Sequence, residues 1–199
     1  LRWTWRYDTP EKYQHSVKGY YRMLNGIDME IAKIREKLKE TGQDKNTVII
    51  LMGDNGFMFG EHGLIDKRNA YEESMRVPLL AYIPGAKQDY VVEEMAANID
   101  IAPTILDIAG IKKQPAQFAG ASLLQLAKGE KVDGWRDSLL YEYYWEFNFP
   151  STPTTFAIRS DNFKLIQYHG IWDTDELYDI KNDPQEMRNL IDDPRYINV

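Results

Sequence analysis

The chain has 199 residues, of which 43% are hydrophobic and 13% aromatic, so it can bury a core and is not of the disordered class. Its formal net charge of −7 argues against nucleic acid as a partner and gives a polyanionic ligand no general electrostatic attraction. The chain contains no cysteine, which excludes disulfides and thiolate metal sites, and no apolar run approaches the length of a membrane span.

The first regular element that the sequence predicts is a helix over residues 16–40. Apolar residues recur there at spacings of three and four, which lines one face of a helix, and charged residues fall mostly opposite. Thr41 and Gly42 are expected to end this helix. We expect this helix to pack on a sheet as a crossover with a structural role. The preceding residues 1–12 show no periodicity and suggest no chemistry.

A mainly apolar run from Thr47 to Met52 predicts a strand that is buried on both faces, as in a parallel sheet. The run is followed by Asp54 and Asn55 between two glycines. Ligands of open α/β sheets lie just beyond the carboxyl ends of such strands. Because a carboxylate and a side-chain amide both offer hard oxygens, the pair suits Ca²⁺ or Mg²⁺. The alternative is a turn after the strand, since Asp-Asn-Gly is a common turn string.

The rest of the chain predicts two kinds of structure, first a strand with helices and then a series of short strands. Residues 77–83 predict a second buried strand, and residues 98–109 predict a helix with Asp100 as its cap and Pro103 in its first turn. A short helix is expected at residues 122–127. From Leu139 onward, short aromatic or β-branched runs are typical of an antiparallel sheet. These runs are residues 139–147, 155–159, 163–168 and 176–180.

Several ordered motifs carry a resemblance to a known family. After the first strand come GEHG at 60–63, DKR at 66–68, YEES at 71–74 and RVPL at 76–79. The segments IDIAPTILDIAG at 99–110 and DELYDIKNDPQE at 175–186 follow in the same order. Together they resemble the sulfatase family of the alkaline-phosphatase-like superfamily, and IDKR at 65–68 is similar to its N-acetylglucosamine-6-sulfatase branch.

The resemblance implies an α/β fold in two parts. Residues 1–138 would be the C-terminal part of the catalytic α/β domain, with part of an alkaline-phosphatase-like parallel sheet and packed helices. Residues 139–199 would be a small C-terminal antiparallel sheet subdomain.

The resemblance also implies sulfuric ester hydrolysis by a longer parent protein. Sulfatases use a formylglycine nucleophile made within a Cys-x-Pro-x-Arg-like motif, and no segment of this chain matches it. We therefore expect the nucleophile in a missing N-terminal part of the same domain, and no activity from this chain alone. The expected substrate is a sulfated sugar or glycosaminoglycan, with neither nucleic acid nor membrane as a partner. By analogy, the protein would be periplasmic or secreted.

The family assigns roles to the polar residues after the first strand. Asp54 and Asn55 match two ligands of a Ca²⁺ ion, with Mg²⁺ as the alternative cation, which would neutralise charge on the sulfuryl oxygens. Lys67 matches a lysine that binds the sulfate and assists departure of the ester oxygen, as a compact ammonium with three donors can. The alternative for Lys67 is an exposed lysine in a loop.

Three further side chains are candidates for substrate contacts. His62 would contact the sulfate or donate a proton to the leaving group, or it would instead pin the loop. Glu61 and Arg68 would contact the sugar. Two other functions stay open: hydrolysis of phosphate or phosphonate monoesters by the same superfamily, and a non-catalytic glycan-binding remnant of the fold.

Overall fold

The computed structural model describes residues 2–87, 89–112, 115–170 and 173–197. The α-helices α1 to α5 are Arg2–Arg6, Pro10–Glu40, Glu72–Met75, Ile101–Ile108 and Leu124–Ala127. The strands β1 to β8 are Ile49–Met52, Met58–Phe59, Ile65–Asp66, Leu79–Tyr82, Ser138–Tyr143, Thr155–Ser160, Phe163–Tyr168 and Glu176–Asp179. Short 3₁₀ helices are Asp44–Asn46, Glu61–Gly63, Asn98–Asp100 and Pro194–Tyr196. None of the helices in these ranges combines the length and apolar character needed to cross a lipid bilayer.

The long helix α2 begins earlier than its apolar pattern predicts. Thr9 caps it by accepting a hydrogen bond from the Lys12 amide, and Pro10 occupies the first turn, where a missing N–H costs little. Because the first residues after Pro10 are mostly polar, periodicity alone places the start too late. None of the helix residues is buried, so the expected packing of an apolar face on a sheet is not observed in the described chain. Its contact with the site region is instead through Tyr20, whose ring lies 4.8 Å from that of Phe59.

Strand β1 forms where the apolar run predicts it, but its pairing differs from the expected parallel sheet. It pairs with β4 in antiparallel orientation, and every strand pair in the described ranges is antiparallel. Leu51, Leu79 and Leu80 are exposed, so burial on both faces is not found either. An apolar run predicts a strand without encoding its neighbour's direction. Between β1 and β4 lie the short strands β2 and β3 and the four-residue helix α3, rather than the long crossover helix typical of parallel pairs.

The antiparallel sheet predicted for the C-terminal part is confirmed. Strands β5, β6, β7 and β8 form a four-stranded meander in chain order. Alternation sets its inner face, where Ala157 pairs in register with Ile166, and both are buried. The sheet begins at Ser138, next to the predicted division of the chain.

One hydrophobic core joins the two predicted parts. Met58 in β2, and Ala70 and Tyr71 just before α3, pack against residues of the C-terminal sheet. The sheet residues of this core are Ala157, Ile166, Tyr178 and Ile180. The loop with the predicted site is therefore built directly on the C-terminal sheet.

Asp100 lies at the N-cap position of α4, but its side chain makes no capping hydrogen bond to that helix. It is fully buried, accepts the Ala97 and Ala121 amides, and forms a two-point ion pair with Arg136. The paired guanidinium compensates the buried carboxylate. Asp100 thus fixes the start of α4 against two later segments of the chain. Pro103 lies in the first turn of α4, as predicted.

Candidate functional site

The predicted metal-binding turn follows β1 directly and is held from two sides. A Cβ at Gly56 would lie 1.9 Å from the Glu73 carbonyl oxygen, so only glycine fits there without a shift of the backbone. From the other side, Asn98 Nδ2 donates to the Asp54 carbonyl oxygen at 2.8 Å. Within the turn, the Asn55 amide donates to Asp54 Oδ1 at 2.9 Å. These contacts set the positions of both predicted ligands.

Lys67 lies beside this turn. Its Nζ donates to Asn55 Oδ1 at 2.7 Å, across 12 residues of sequence. The short ribbon of β2 and β3 brings the chain back, and Lys67 follows its last residue, Asp66, which has a φ of 86°. Asn55 Nδ2 donates to the Gly56 carbonyl oxygen at 2.7 Å, which turns the amide oxygen toward the ammonium. The structure therefore brings together a predicted metal ligand and the predicted sulfate-binding lysine.

The chemistry of Asp54 and Asn55 fits part of a Ca²⁺ or Mg²⁺ site. A carboxylate and an amide oxygen are donors that these hard cations prefer. A Ca²⁺ ion takes about six to eight oxygens, so two side chains supply only part of its coordination. The metal role of this pair stays a prediction.

His62 is placed against the loop interior. Its side chain is 11% exposed, and its ring stacks on Tyr71 at 4.0 Å with an interplanar angle of 9°. Its Nε2 lies 3.6 Å from Glu73 Oε2. His62 also has a φ of 54°, a left-handed conformation that is uncommon for non-glycine residues. This placement favours the loop-pinning alternative, and the catalytic role stays a prediction.

His62 forms a polar cluster with Glu73 and Glu186 that the sequence pattern did not reveal, and of these three side chains only Glu186 is buried. Ligand atoms of His62, Glu73 and Glu186 all lie within 4.8 Å of one another, which is a spacing that a metal ion could bridge. However, the Lys164 ammonium lies 2.7 Å from Glu186 Oε1 and already supplies a positive charge there. The cluster is thus explained as part of an ion-pair network.

Lys164 is the centre of that network. It is fully buried on β7, and its Nζ lies 2.9 Å from the Ala70 carbonyl oxygen, 2.8 Å from Glu72 Oε1 and 2.7 Å from Glu186 Oε1. Burial opposes ionisation of Glu72, but Lys164 and Arg159 outweigh burial and hold the pKa of Glu72 below its usual value. For Glu186, burial dominates and raises the pKa. The network ties the site loop to the C-terminal sheet.

A second link joins the loop and the sheet through tyrosines. The hydroxyls of Tyr71, Tyr168 and Tyr178 all donate to the Glu176 carboxylate, at distances of 2.8 to 3.1 Å. Burial, together with the Glu176 charge, raises the pKa of Tyr71 to about 12. Tyr71 is therefore a neutral donor at physiological pH, and it presents a fixed ring for His62.

The two predicted sugar contacts have different surroundings. The Glu61 carboxylate accepts the Phe59 amide, so it closes its own loop. Arg68 lies in the wall of a cleft of about 500 Å³ and contacts Asp66, Glu146 and Phe149. The last two come from the segment after β5, which the sequence analysis did not connect with the site. The aromatic residues around Glu146 and Phe149 were the feature of the sequence that could have indicated a role near the site.

Two family profiles match the chain. One is described as "Sulfatase" and matches residues 3–111. The other, described as "N-sulphoglucosamine sulphohydrolase, C-terminal", matches residues 60–199. Each covers more than half of the chain, and their overlap at residues 60–111 includes His62, Lys67 and Arg68 but not Asp54 and Asn55.

Comparison with individual proteins agrees with the profiles. The chain is 36% identical over 188 residues to an N-acetylglucosamine-6-O-sulfatase of Bacteroides thetaiotaomicron, covering 93% of this chain and 34% of that protein. A solved structure in complex with its substrate D-glucosamine-2-N,6-O-disulfate is 36% identical, with a TM-score of 0.86 over 94% of this chain and 38% of the other. A phosphonate monoester hydrolase from Silicibacter pomeroyi is 29% identical, with a TM-score of 0.84 over 98% of this chain and 40% of the other. The chain thus spans about a third of the length of the first curated relative.

Proposed function

The chain belongs to the sulfatase family and has the α/β fold class of the alkaline-phosphatase-like superfamily, and from this premise we propose that its full-length protein hydrolyses sulfate esters of sugars. The observation that carries the proposal is the 2.7 Å contact between Lys67 and Asn55. The contact supports the proposal because a cationic group, which we propose binds the sulfate, lies beside a hard-oxygen donor at the end of a strand. A site of that composition suits the negative charge of a sulfate ester.

In this proposal, Asp54 and Asn55 hold a Ca²⁺ ion, with Mg²⁺ as the alternative. Their oxygens have the chemistry that these cations prefer, and the turn that presents them is anchored by Asn98 and Gly56. When bound, the cation supplies positive charge that polarises the sulfuryl oxygens. The remaining ligands and a formylglycine nucleophile would come from outside these 199 residues.

Lys67 is the residue of this chain that we place on the sulfate. Its ammonium binds a nonbridging oxygen and stabilises negative charge as the ester oxygen departs. Asn55 holds the ammonium at the strand end before the substrate arrives. Of the two roles left open for His62, we propose the structural one, because Tyr71 and Glu73 hold its ring.

The proposed substrate class is a sulfated amino sugar, such as N-acetylglucosamine bearing a 6-O-sulfate. Support comes from the curated relative of that specificity and from the solved complex with a sulfated glucosamine. Both are 36% identical to this chain over more than nine tenths of its length. A phosphonate monoester hydrolase has nearly the same fold similarity, so a phosphorus ester is the rival substrate.

One assay separates the proposal from its rivals. The full-length protein is incubated with sulfated N-acetylglucosamine, with a phosphate monoester and with a phosphonate monoester, and initial rates are compared at equal concentrations. We expect the highest kcat/KM for the sulfate ester. Preference for a phosphorus ester would establish the rival hydrolase instead. Binding of the sulfated sugar without release of sulfate would indicate a non-catalytic glycan-binding protein.

A further inference from the structure

Arg68 is held by a segment that lies far from it in the sequence. Its Nε donates to Glu146 Oε1 at 3.2 Å, and its guanidinium carbon lies 3.3 Å from the centroid of the Phe149 ring. On the loop itself, Asp66 Oδ2 lies 2.8 Å from Arg68 Nη1. Two ion pairs and one stacked ring leave the Arg68 side chain 16% exposed. A planar guanidinium with these three neighbours has little freedom to change its orientation.

The holding segment, residues 144–152, is itself ordered by hydrogen bonds. Glu146 Oε1 also accepts the Tyr143 hydroxyl at 2.9 Å, which ties the half-exposed carboxylate to the last residue of β5. The Phe149 amide donates to the Glu146 carbonyl oxygen at 2.9 Å, which closes a turn between the two residues. The Trp145 amide donates to Thr154 Oγ1 at 2.9 Å and ties the segment to the residue that precedes β6. Glu146 and Phe149 therefore act on Arg68 from a defined scaffold.

Arg68 and Phe149 share the wall of one cleft. Its volume of about 500 Å³ falls within the range of roughly 300–1,000 Å³ that is typical of small-molecule sites. The lining combines ring faces with polar groups, which suits the apolar faces and hydroxyls of a sugar. Six of the lining residues are Trp3, Asp66, Arg68, Asn69, Phe149 and Ser151.

The guanidinium keeps capacity for a ligand. Arginine has five N–H donors; the two ion pairs use one on Nε and one on Nη1, and a further donor faces the Tyr143 hydroxyl, which leaves two for a ligand. Lys67 precedes Arg68 directly in the sequence and contacts Asn55, so the two neighbouring cationic side chains lie in different parts of the proposed site. The ammonium lies at the predicted sulfate position, and the guanidinium lies in the cleft.

We propose that Glu146 and Phe149 are positioning residues for substrate binding. They hold the Arg68 guanidinium in the cleft wall, where it donates to hydroxyls of the sugar whose sulfate is bound at Lys67. The inference rests on the proposed sulfatase function and adds a specificity device supplied by the C-terminal sheet. Loss of either residue frees Arg68 and weakens recognition of the sugar, while the chemistry at the sulfate is preserved.

The kinetic test uses the full-length protein with Glu146→Ala and Phe149→Ala. We expect KM for sulfated N-acetylglucosamine to rise about tenfold, because one oriented hydrogen bond from a charged donor is lost. The kcat for sulfated N-acetylglucosamine should stay near wild type. The kcat and KM for an aryl sulfate without a sugar should also stay near wild type. Glu146→Gln and Phe149→Tyr should recover most of the affinity, since they keep an acceptor and a ring. Glu142→Ala and Phe147→Ala are matched controls on exposed neighbours.

A second readout follows Arg68 itself. Phenylglyoxal modifies accessible guanidinium groups, and mass spectrometry measures the rate for the peptide that contains Arg68. Both alanine variants should be modified faster than wild type and the two controls. An unchanged rate, an unchanged KM for the sugar, or an equal loss on sugar and aryl sulfates would each overturn the inference. A wild-type protein that releases sulfate from neither substrate would overturn the proposed function, and the modification rate would then still decide whether Arg68 is held.

Discussion

The ammonium of Lys67 lies 2.7 Å from the side-chain oxygen of Asn55, and this contact joins two loops that are 12 residues apart in sequence. Asn55 is also held by its own Nδ2, which donates to the Gly56 carbonyl oxygen. An oxyanion bound here would meet the ammonium directly and would also reach any cation bound by Asn55. The contact therefore makes distinct predictions for the lysine and for the metal-binding pair.

Replacement of Lys67 should affect turnover without affecting metal. In the full-length protein, Lys67→Ala is expected to lower kcat/KM for the sulfate ester by about 10² to 10³, the effect of losing one donor to a developing anion. Lys67→Arg should recover only part of the rate, because a planar fork presents its donors differently from an ammonium. Steady-state kinetics and metal analysis by atomic emission are measured together. The control is Lys45→Ala, on an exposed residue before β1. Full activity of Lys67→Ala would show that Lys67 does not bind the sulfate.

Replacement of Asp54 should lower metal content and turnover together. Asp54→Ala removes the anionic ligand of the pair, so bound Ca²⁺ or Mg²⁺ and kcat should fall in parallel. Added metal in excess should restore part of the activity, since the Asn55 oxygen remains. The control is Asp161→Ala, which makes the same charge change in the exposed turn between β6 and β7. Unchanged metal content with lost activity would remove Asp54 from the set of ligands.

The buried ion-pair network predicts a large loss of stability for Lys164→Met. Removal of the ammonium leaves Glu72 and Glu186 without their shared partner, which costs about 3–5 kcal/mol for a buried pair. Urea unfolding monitored by tryptophan fluorescence measures the change. Glu186→Gln in the same protein should recover part of the loss, because it removes one uncompensated carboxylate. A Lys164→Met variant as stable as Lys128→Met, on an exposed lysine after α5, would contradict this account.

The same network predicts how stability depends on pH. The pKa of Glu72 is lowered from 4.5 in the folded protein, so its contribution is present above the unfolded pKa and is lost as pH falls through the folded value. The pKa of Glu186 is raised from 4.5 in the folded protein. Its contribution to stability is therefore present below the unfolded pKa and is lost as pH rises through the folded value. The free energy of unfolding of Glu72→Gln should therefore depend less on pH than wild type below about pH 4.5. The free energy of unfolding is measured over that pH range for both proteins. The same dependence on pH in wild type and Glu72→Gln would contradict the role given to Glu72.

Local patterns determined most of the secondary structure. The four strands of the C-terminal sheet lie within a few residues of their predicted positions, because side chains of a half-buried strand alternate between two faces. The start of α2 was missed because its first residues are polar, although Thr9 and Pro10 carry the capping signal. Ordered motifs also identified the family, which the matching profiles confirm.

Contacts between distant segments could be decided only by the tertiary structure. The orientation of β4 on β1, the burial of Lys164 beneath Ala70 across 94 residues, and the hold of Glu146 on Arg68 across 78 residues have no local signal. A lysine in an alternating strand is expected on the exposed face, yet Lys164 lies inside because two carboxylates compensate its charge. The sequence therefore determined which residues could do chemistry, and the packing of the loop on the sheet decided which of them meet. The physical reason is that propensity and alternation act over a few residues, whereas a buried ion pair forms only after sheet register has brought its members together.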